Sequence, residues 1–382
     1  MENAIIELKG RIDSTNAADW EPILLQAAEN ANDCELLLNA EELEYISSAG
    51  LRILLKLAKK KETTKIVEVR PEVYDIFLTT GFNEILHVEK ALRKVAVDGC
   101  ALVGRGAHGE VFQIAPDTLV KVYLPGFSID RIRREIAYAR KAFVMGIPTA
   151  IPFDIVRVGE RYGAVFELLS AIPICDYIRG NEERTQIFIH ESVSMLKHLH
   201  SQTVAAGELP SMKANTIRWL QEMRDIAEPY LFERLMDFVS GLPDSMTLLH
   251  GDVNPGNFMF SDGNLMLIDM DTLSTGDPIF ELATLFVTYR QFPKINKKAA
   301  EMFGLTLQKA AKMWDSMLRE YTECGDERQL AEVERKAQLL GCIRVIHYMR
   351  QHTEIEDRTE AIRICIEDIE TIVLSLVDRK TT

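Results

Sequence analysis

The sequence predicts two successive domains, an α/β unit over residues 1–97 and an α+β unit with two lobes over residues 98–382. In the first part of the chain, short apolar strands alternate with amphipathic helices, which is typical of a mixed or parallel sheet. Further along, short β-like runs cluster at 100–124 and 151–169, and helical periodicity dominates from about residue 184. A chain of 382 residues also exceeds what one ordinary core accommodates.

The composition is that of a globular, cytoplasmic protein. Apolar residues make up 47% of the chain and charged residues 27%, and no apolar run reaches the roughly eighteen residues that a membrane helix needs. The opening MENAIIELKGRID has neither the basic nor the apolar region of a signal peptide. The net charge of −14 disfavours a nucleic-acid-binding surface. Six dispersed cysteines without a CxxC pair indicate reduced thiols.

Within the first domain, apolar patterning and turn residues predict six elements in alternating order. The expected strands are Ala4–Leu8, Glu35–Leu38 and Ile66–Val69, and the expected helices are Ala17–Glu29, a segment around Leu51–Ala58, and Pro71–Thr80. Ser47 and Ser48 precede the second helix, where either side chain could act as an N-cap worth about 1 kcal/mol.

A glycine-rich run opens the second domain. Gly104, Gly106 and Gly109 have the G-x-G-x-x-G spacing, which dinucleotide-binding folds also use. A dinucleotide-binding turn leads into a helix, but here two β-like segments, 110–114 and 119–123, follow. The run therefore predicts a β-hairpin whose backbone amides approach phosphate groups closely, because glycine has no Cβ to obstruct them.

A lysine and a glutamate extend this phosphate site. Lys121 on the second arm of the hairpin is placed to reach the α- and β-phosphates of a nucleotide. The segment Asp130–Met145 predicts the next helix, and Glu135 is the natural partner of the lysine on it. Arg131, by contrast, is interpreted as a surface charge.

Three polar residues around two short strands form the strongest signal. In HGDVNPGN, Asp252 lies five residues before Asn257, and a second strand leads to Asp269 twelve residues further on. Phosphoryl transfer requires positioning and charge neutralisation more than covalent help. We expect Asp252 to accept the proton of an attacking hydroxyl, and Asn257 and Asp269 to bind Mg²⁺ through oxygen atoms.

On these motifs, residues 99–382 resemble the aminoglycoside phosphotransferase and choline kinase branch of the protein-kinase-like superfamily. The resemblance rests on HGDVNPGN, on IDMD and on Gly276-Asp277-Pro278 followed by Glu281, where the family more often has aspartate. It implies a two-lobed protein-kinase-like fold, with a small β-rich lobe over about 98–170 and a helical lobe over about 171–382.

The same resemblance implies an activity and further site residues. It implies transfer of the γ-phosphate of ATP, with Mg²⁺, to a hydroxyl group of a small molecule. It places the adenine-binding hinge at 167–170, with Glu167 and Leu169 as nucleotide-binding positions. Asp271 would be a second metal ligand, a substrate contact or a helix cap. Protein kinases carry HRD and DFG motifs where this chain has HGD and IDMD, so a small-molecule acceptor is favoured.

Residues 1–95 resemble STAS domains, the fold of anti-sigma-factor antagonists, through Gly10-Arg11-Ile12-Asp13 and the segment YISSAGL. The resemblance implies an α/β fold, a protein partner, and phosphorylation of Ser48, which aligns with the regulated serine. Regulated members often have aspartate where this chain has Ser47. Two other functions remain open: a serine/threonine protein kinase that acts on a STAS domain, and a nucleotide-sensing interaction module without turnover.

Overall fold

The computed structural model describes residues 4–31, 34–106, 108–261, 263–296, 301 and 303–378. Its contacts divide the chain into two units, residues 1–98 with 155–163 and residues 99–154 with 164–382. Both units combine helices with sheets, so the predicted fold classes are confirmed.

The first unit contains a parallel sheet of four strands in the order β1-β2-β3-β4. The strands of this sheet are Ala4–Ile12 (β1), Leu36–Ile46 (β2), Thr64–Val69 (β3) and His87–Lys90 (β4). The two-residue strand Arg93–Lys94 (β5) follows and is not part of this sheet. Its helices are Ala17–Asn30 (α1), Ser48–Lys60 (α2) and Pro71–Thr79 (α3), with a 3₁₀ turn at Phe82–Glu84. The predicted alternation is confirmed, but the boundary of β2 was wrong. The expected strand ended at Leu38, but β2 continues to Ile46 and buries Leu43 and Ile46 between exposed acidic residues.

The core of this unit depends on a close contact between α2 and the sheet. Leu51, Leu54 and Leu57 form the buried stripe of α2. Gly50 precedes the stripe, and a Cβ added there would lie 2.7 Å from Ile46 Cγ1 and 2.9 Å from Ile12 Cγ2. Only glycine therefore allows the helix to approach the sheet this closely.

The small lobe of the second unit contains antiparallel strands and one helix. Its strands are Ala101–Gly106 (β6), Gly109–Ala115 (β7) and Thr118–Tyr123 (β8), and its helix is Ile129–Val144 (α4). Strand β7 pairs antiparallel with both β6 and β8. Strands Pro152–Val158 (β9) and Arg161–Glu167 (β10) follow, and their residues 155–163 group with the first unit. The β7–β8 pairing confirms the predicted hairpin, and α4 confirms the predicted helix within one residue at each end.

The large lobe is mainly helical. Its helices are Ile174–Tyr177 (α5), Glu182–Ser201 (α6), Met212–Glu222 (α7), Pro229–Ser240 (α8), Ile279–Phe286 (α9), Phe292–Ile295 (α10), Leu307–Thr322 (α11), Glu327–Gln351 (α12) and Arg358–Asp378 (α13), with a π turn at Val287–Gln291. Its short strands are Ile172–Pro173 (β11), Leu248–Leu249 (β12), Phe258–Ser261 (β13), Asn264–Leu267 (β14) and Ser274–Thr275 (β15), and 3₁₀ turns lie at Pro255–Asn257 and Met270–Thr272. Among the described residues, every helix is too short or too polar to cross a bilayer.

Two helices of the large lobe frame the functional residues. Helix α12 packs against α9, α13 and α7. At Gly341 of α12, an added Cβ would lie 2.9 Å from Val287 Cγ2 and 3.3 Å from the Ala283 carbonyl oxygen. This close approach fixes α12 beside the second half of α9, and Glu281 near the start of α9 contacts the loop at 250–257 described below.

Replacing Gly50 by valine should destabilise the first unit. The added side chain overlaps two isoleucines, and overpacking of this kind costs about 1–3 kcal/mol, more than the few tenths gained in helix propensity. Hydrogen exchange of β1 and β2 peptides in the full chain measures the loss of protection. Gly325→Val is the control, because a Cβ there meets no atom within 4 Å. Unchanged exchange in Gly50→Val would contradict the close contact.

Candidate active site

Lys121 joins residues from three elements of the second unit. Its Nζ donates a hydrogen bond to Glu135 Oε1 of α4 at 2.7 Å and lies 3.3 Å from Asp269 Oδ1. Burial lowers the pKa of Lys121, but Asp269 and Glu135 raise it by more, so the net shift is upward and the ammonium stays charged. The structure thus brings together two predicted nucleotide-binding residues and one predicted metal ligand.

The glycine-rich turn joins β6 to β7, and β7 pairs with β8, the strand that carries Lys121. Gly106 pairs with Gly109 across the turn, and Gly104 pairs with Val111. A Cβ on Gly109 would lie 2.1 Å from the Val122 carbonyl oxygen, so no other residue fits there. At Gly104 and Gly106 an added Cβ meets no atom of the described chain within 4 Å. These two glycines therefore leave open space beside the backbone, as a phosphate-binding loop requires.

The 250–257 loop presents Asp252 through amide hydrogen bonds. Asn254 Nδ2 donates to Asp252 Oδ2 at 3.1 Å, and Asn257 Nδ2 donates to the Asp252 carbonyl oxygen at 2.9 Å and to Oδ2 at 3.3 Å. The Asp252 amide donates to His250 Nδ1, while His250 Nε2 lies 3.0 Å from the Ile268 carbonyl oxygen. His250 therefore carries its proton on Nε2 and fixes the loop to the end of β14.

One buried carboxylate holds the start of this loop. Glu281 of α9 accepts the backbone N–H of His250 at 2.6 Å and that of Gly251 at 3.0 Å. Complete burial raises the pKa of Glu281, but His200, His250 and the backbone donor lower it by more, and the net shift is downward. His200 Nε2 is 3.8 Å away, beyond hydrogen-bond length, while its Nδ1 contacts Tyr321 Oη at 2.7 Å. We conclude that Glu281 is an anion that positions the loop.

Asp269 and Asp271 lie together after β14. Asp269 has a left-handed backbone with φ of 65°, which an aspartate adopts at some cost, and it begins the 3₁₀ turn Met270–Thr272. Asp271 is half-buried, and burial together with the charges of Asp269 and Glu135 raises its pKa to about 7. Asp269 and Asp271 thus interact electrostatically, and Asp271 also interacts with Asp252, to which Asn257 is hydrogen-bonded. Oxygen donors of this kind suit Mg²⁺.

The segment at 167–170 forms a connection between the lobes. The Glu167 amide donates to the Ile151 carbonyl oxygen at 2.9 Å, and its side-chain Oε2 accepts from the Ile151 amide at 3.3 Å. The Leu168 amide donates to Asp117. The Glu167 side chain and amide therefore act within the fold, and the predicted adenine contact would use the Glu167 carbonyl and the Leu169 backbone.

A pocket of about 710 Å³ opens on this segment. Its lining comes from residues 167–170, from α6 and from the β13–β14 hairpin. Within the described part of the chain, neither Lys121 nor Asp252 lines it. The pocket is thus separate from the cluster around Lys121.

Two charged residues near this cluster carry no sequence signal that links them to it. Arg344 of α12 donates from Nη2 to Asp252 Oδ1 at 3.1 Å. Arg131, interpreted above as a plain surface charge, lies with Nη2 3.5 Å from His108 Nε2 at the tip of the glycine-rich hairpin. Its guanidinium also stacks over the Phe127 ring at 4.7 Å. Burial, then Arg131 and Lys121, lower the pKa of His108, so the imidazole is neutral near pH 7.

In the first unit, Ser47 and Ser48 differ in their roles. Ser47 is the N-cap of α2, and its Oγ accepts the Ala49 amide at 3.2 Å. Ser48 is the first residue of the helix and is exposed. The capping alternative therefore applies to Ser47. Ser48 has an accessible hydroxyl, and its phosphorylation stays a prediction.

Family models match both parts of the chain. Residues 100–317 match the phosphotransferase enzyme family, and residues 2–95 match the STAS domain. The STAS region is 32% identical over 93 residues to a Bordetella bronchiseptica protein named as an anti-sigma factor antagonist, BtrV, covering 23% of this chain and 79% of that protein.

Similarity to individual kinases is more remote. Thiamine kinase of Escherichia coli O157:H7 is 24% identical over 148 residues, which cover 37% of this chain. The match spans about half of that kinase, 54% of its length. Among solved structures, ADP-bound aminoglycoside phosphotransferase APH(2'')-Ib aligns with a TM-score of 0.49 and 17% identity, covering 77% of this chain and 99% of that one. A choline/ethanolamine kinase family protein from Mesorhizobium loti aligns at 0.47 and 13%, covering 72% and 87%.

Removing the charge of Glu281 should disorder the loop. In Glu281→Gln one carboxylate oxygen becomes an NH₂ group that faces a backbone N–H and cannot accept from it, and a buried donor left poorly paired costs about 1–3 kcal/mol. We expect the midpoint of thermal unfolding to fall and turnover to decrease at least about tenfold. Glu183→Gln, on the exposed face of α6, is the matched control. Equal stability of the two variants would contradict the role assigned to Glu281.

Asp271 should give the free energy of unfolding a characteristic pH dependence. Its carboxyl is neutral in the fold below about pH 7 but ionises near pH 4 in the unfolded chain. The raised pKa therefore stabilises the fold at low pH, and this contribution is lost as the pH rises from about 4 to 7. In chelator, the stability of the wild type relative to Asp271→Asn should fall over that range. If the free energies of unfolding of the wild type and Asp271→Asn followed parallel curves against pH, the raised pKa would be contradicted. The control is Asp244→Asn, which changes an exposed aspartate.

Proposed function

Because the chain belongs to the phosphotransferase enzyme family and its N-terminal residues form a STAS domain, we propose that it transfers the γ-phosphate of ATP to a hydroxyl group of a small molecule. The observation that carries the proposal is the position of Lys121, bonded to Glu135 and 3.3 Å from Asp269. A lysine held in this way between a helix glutamate and a metal-binding aspartate is the phosphate anchor of kinase-like folds.

Each residue then has a role set by its contacts. Lys121 would neutralise the α- and β-phosphates, oriented by Glu135. Gly104 and Gly106 would admit the phosphates to the backbone, with Gly109 fixing the hairpin. The backbone at Glu167 and Leu169 would bind adenine.

The metal and the acceptor would lie on either side of Asp252. Asn257 and Asp269 would hold Mg²⁺, with Asp271 as a further ligand or a substrate contact. When bound, the ion would neutralise charge on the transferring phosphoryl group. Asp252 would accept the proton of the acceptor hydroxyl, and the amides of Asn254 and Asn257 would fix its orientation.

Similarity to thiamine kinase, an enzyme whose name denotes a small-molecule acceptor, supports this acceptor class. ATP as the donor is the reason to propose a cytoplasmic location. For the STAS domain we propose binding of a protein partner, which the likeness to an anti-sigma factor antagonist supports. A phosphate on Ser48 would lie at a helix N-terminus, which tolerates negative charge, so it would change docking more than folding.

Replacing Asp252 by asparagine tests the proposed chemistry. The amide cannot accept the proton, so phosphate transfer should fall at least about a hundredfold. Lys121→Met should instead weaken nucleotide binding, because the phosphates lose their cation. ADP release measures turnover over a panel of acceptors, and calorimetry with Mg-ATP measures affinity. Undiminished transfer by Asp252→Asn would contradict the assignment of the base.

Exposure of Ser48 favours one rival function, a serine/threonine kinase that acts on a STAS domain. Mass spectrometry after incubation with Mg-ATP separates the two. A phosphate on Ser48 that disappears in Asp252→Ala would favour the rival. Tight Mg-ATP binding without turnover on any acceptor would favour a nucleotide-sensing module.

A further inference from the structure

Arg344 contacts the residue that would accept the proton of the acceptor. It lies on α12, and its Nη2 donates to Asp252 Oδ1 at 3.1 Å. The other carboxylate oxygen, Oδ2, is already bonded to the amides of Asn254 and Asn257. Whatever hydroxyl reaches Asp252 must therefore bind beside the Arg344 guanidinium.

The guanidinium retains most of its hydrogen-bonding capacity. An arginine has five N–H donors, and among the described residues Asp252 is the one acceptor that Arg344 contacts. Its side chain is 24% exposed and that of Asp252 is 40% exposed, so both can be reached from solvent. A guanidinium with free donors matches carboxylate and phosphate groups, which it binds through two parallel hydrogen bonds.

The other basic residues on this part of α12 each contact an acidic residue outside the helix. His347, one turn beyond Arg344, contacts Glu222 at 2.7 Å, and its ring stacks on Trp219 of α7. Arg350 pairs with Asp225 at 3.1 Å. Arg344 thus differs from these two residues, because the carboxylate that it contacts is the proposed base, Asp252.

We propose that Arg344 is an acceptor-specificity residue and that the acceptor carries an anionic group, a carboxylate or a phosphate, close to the hydroxyl that is phosphorylated. The inference rests on the proposed function and narrows its substrate class. Arg344 binds the anion and so delivers the neighbouring hydroxyl to Asp252. The chain's overall charge of −14 does not oppose this, since a pocket's selectivity depends on the groups within it.

Two sets of related compounds that differ in charge test the proposal, because their affinities for the protein can be compared within each set. One set is glucose, gluconate, glucose 6-phosphate and glucosamine, and the other is panthenol and pantothenate. Ligand-observed NMR with the full chain saturated with Mg-ADP measures their dissociation constants. Carboxylate or phosphate members of a set should bind at least about tenfold tighter than the neutral member, the effect expected for one charge-assisted contact. The carboxylate and phosphate arms decide which anion is preferred.

Variants of α12 assign the preference to Arg344. In Arg344→Gln the anionic and neutral members should bind equally, while Arg344→Lys should keep part of the preference because it keeps the charge without the planar fork. Arg350→Gln, the same charge change two turns along the helix, should leave it unchanged. The proposal is overturned if no anion is preferred in the wild type, or if the preference survives in Arg344→Gln. Mg-ADP affinity, measured on the same samples, reports separately on the nucleotide site.

Discussion

The site depends on the buried carboxylate of Glu281. A charge removed from water is costly unless it is hydrogen-bonded, and here two consecutive backbone amides supply those bonds. At the second of them, Gly251, the backbone has φ of 84°, and a Cβ would lie 2.5 Å from the Thr272 carbonyl oxygen. The loop can therefore follow only one path between β12 and the 3₁₀ turn. Asp252 is directed by that path, since its own amide is used by His250.

The second feature of the site is an excess of negative charge around few cations. Asp252, Asp269 and Asp271 interact electrostatically, and Lys121 is the ammonium group among them. The protein relieves this repulsion by raising the pKa of Asp271 and by pairing Asp252 with Arg344. A divalent cation would relieve it further, so the geometry that creates the repulsion also favours metal binding. The negative charge is therefore concentrated at the place where we expect the Mg²⁺ ion of Mg-ATP to bind.

Much of this arrangement could be predicted because the signals are local. A short stretch of the chain contains the hairpin, Lys121 and the helix with Glu135. Another short stretch, around the strands β13 and β14, contains Asp252, Asn257 and Asp269 at their characteristic spacing. Arg344 could not be predicted, because it is 92 positions from Asp252 on a helix whose pattern reports only its buried stripe. Arg131 resembled any exposed arginine until the hairpin placed His108 beside it. The extension of β2 was missed because its acidic residues, read alone, resemble a loop.

A crystal structure with Mg²⁺ and a non-hydrolysable ATP analogue tests the central claim most directly. We expect the metal about 2.0–2.1 Å from Asn257 Oδ1 and a carboxylate oxygen of Asp269. Lys121 Nζ should contact the α- and β-phosphates, and the γ-phosphate should face Asp252. A nucleotide bound away from Lys121, or a metal that contacts neither Asn257 nor Asp269, would contradict the account.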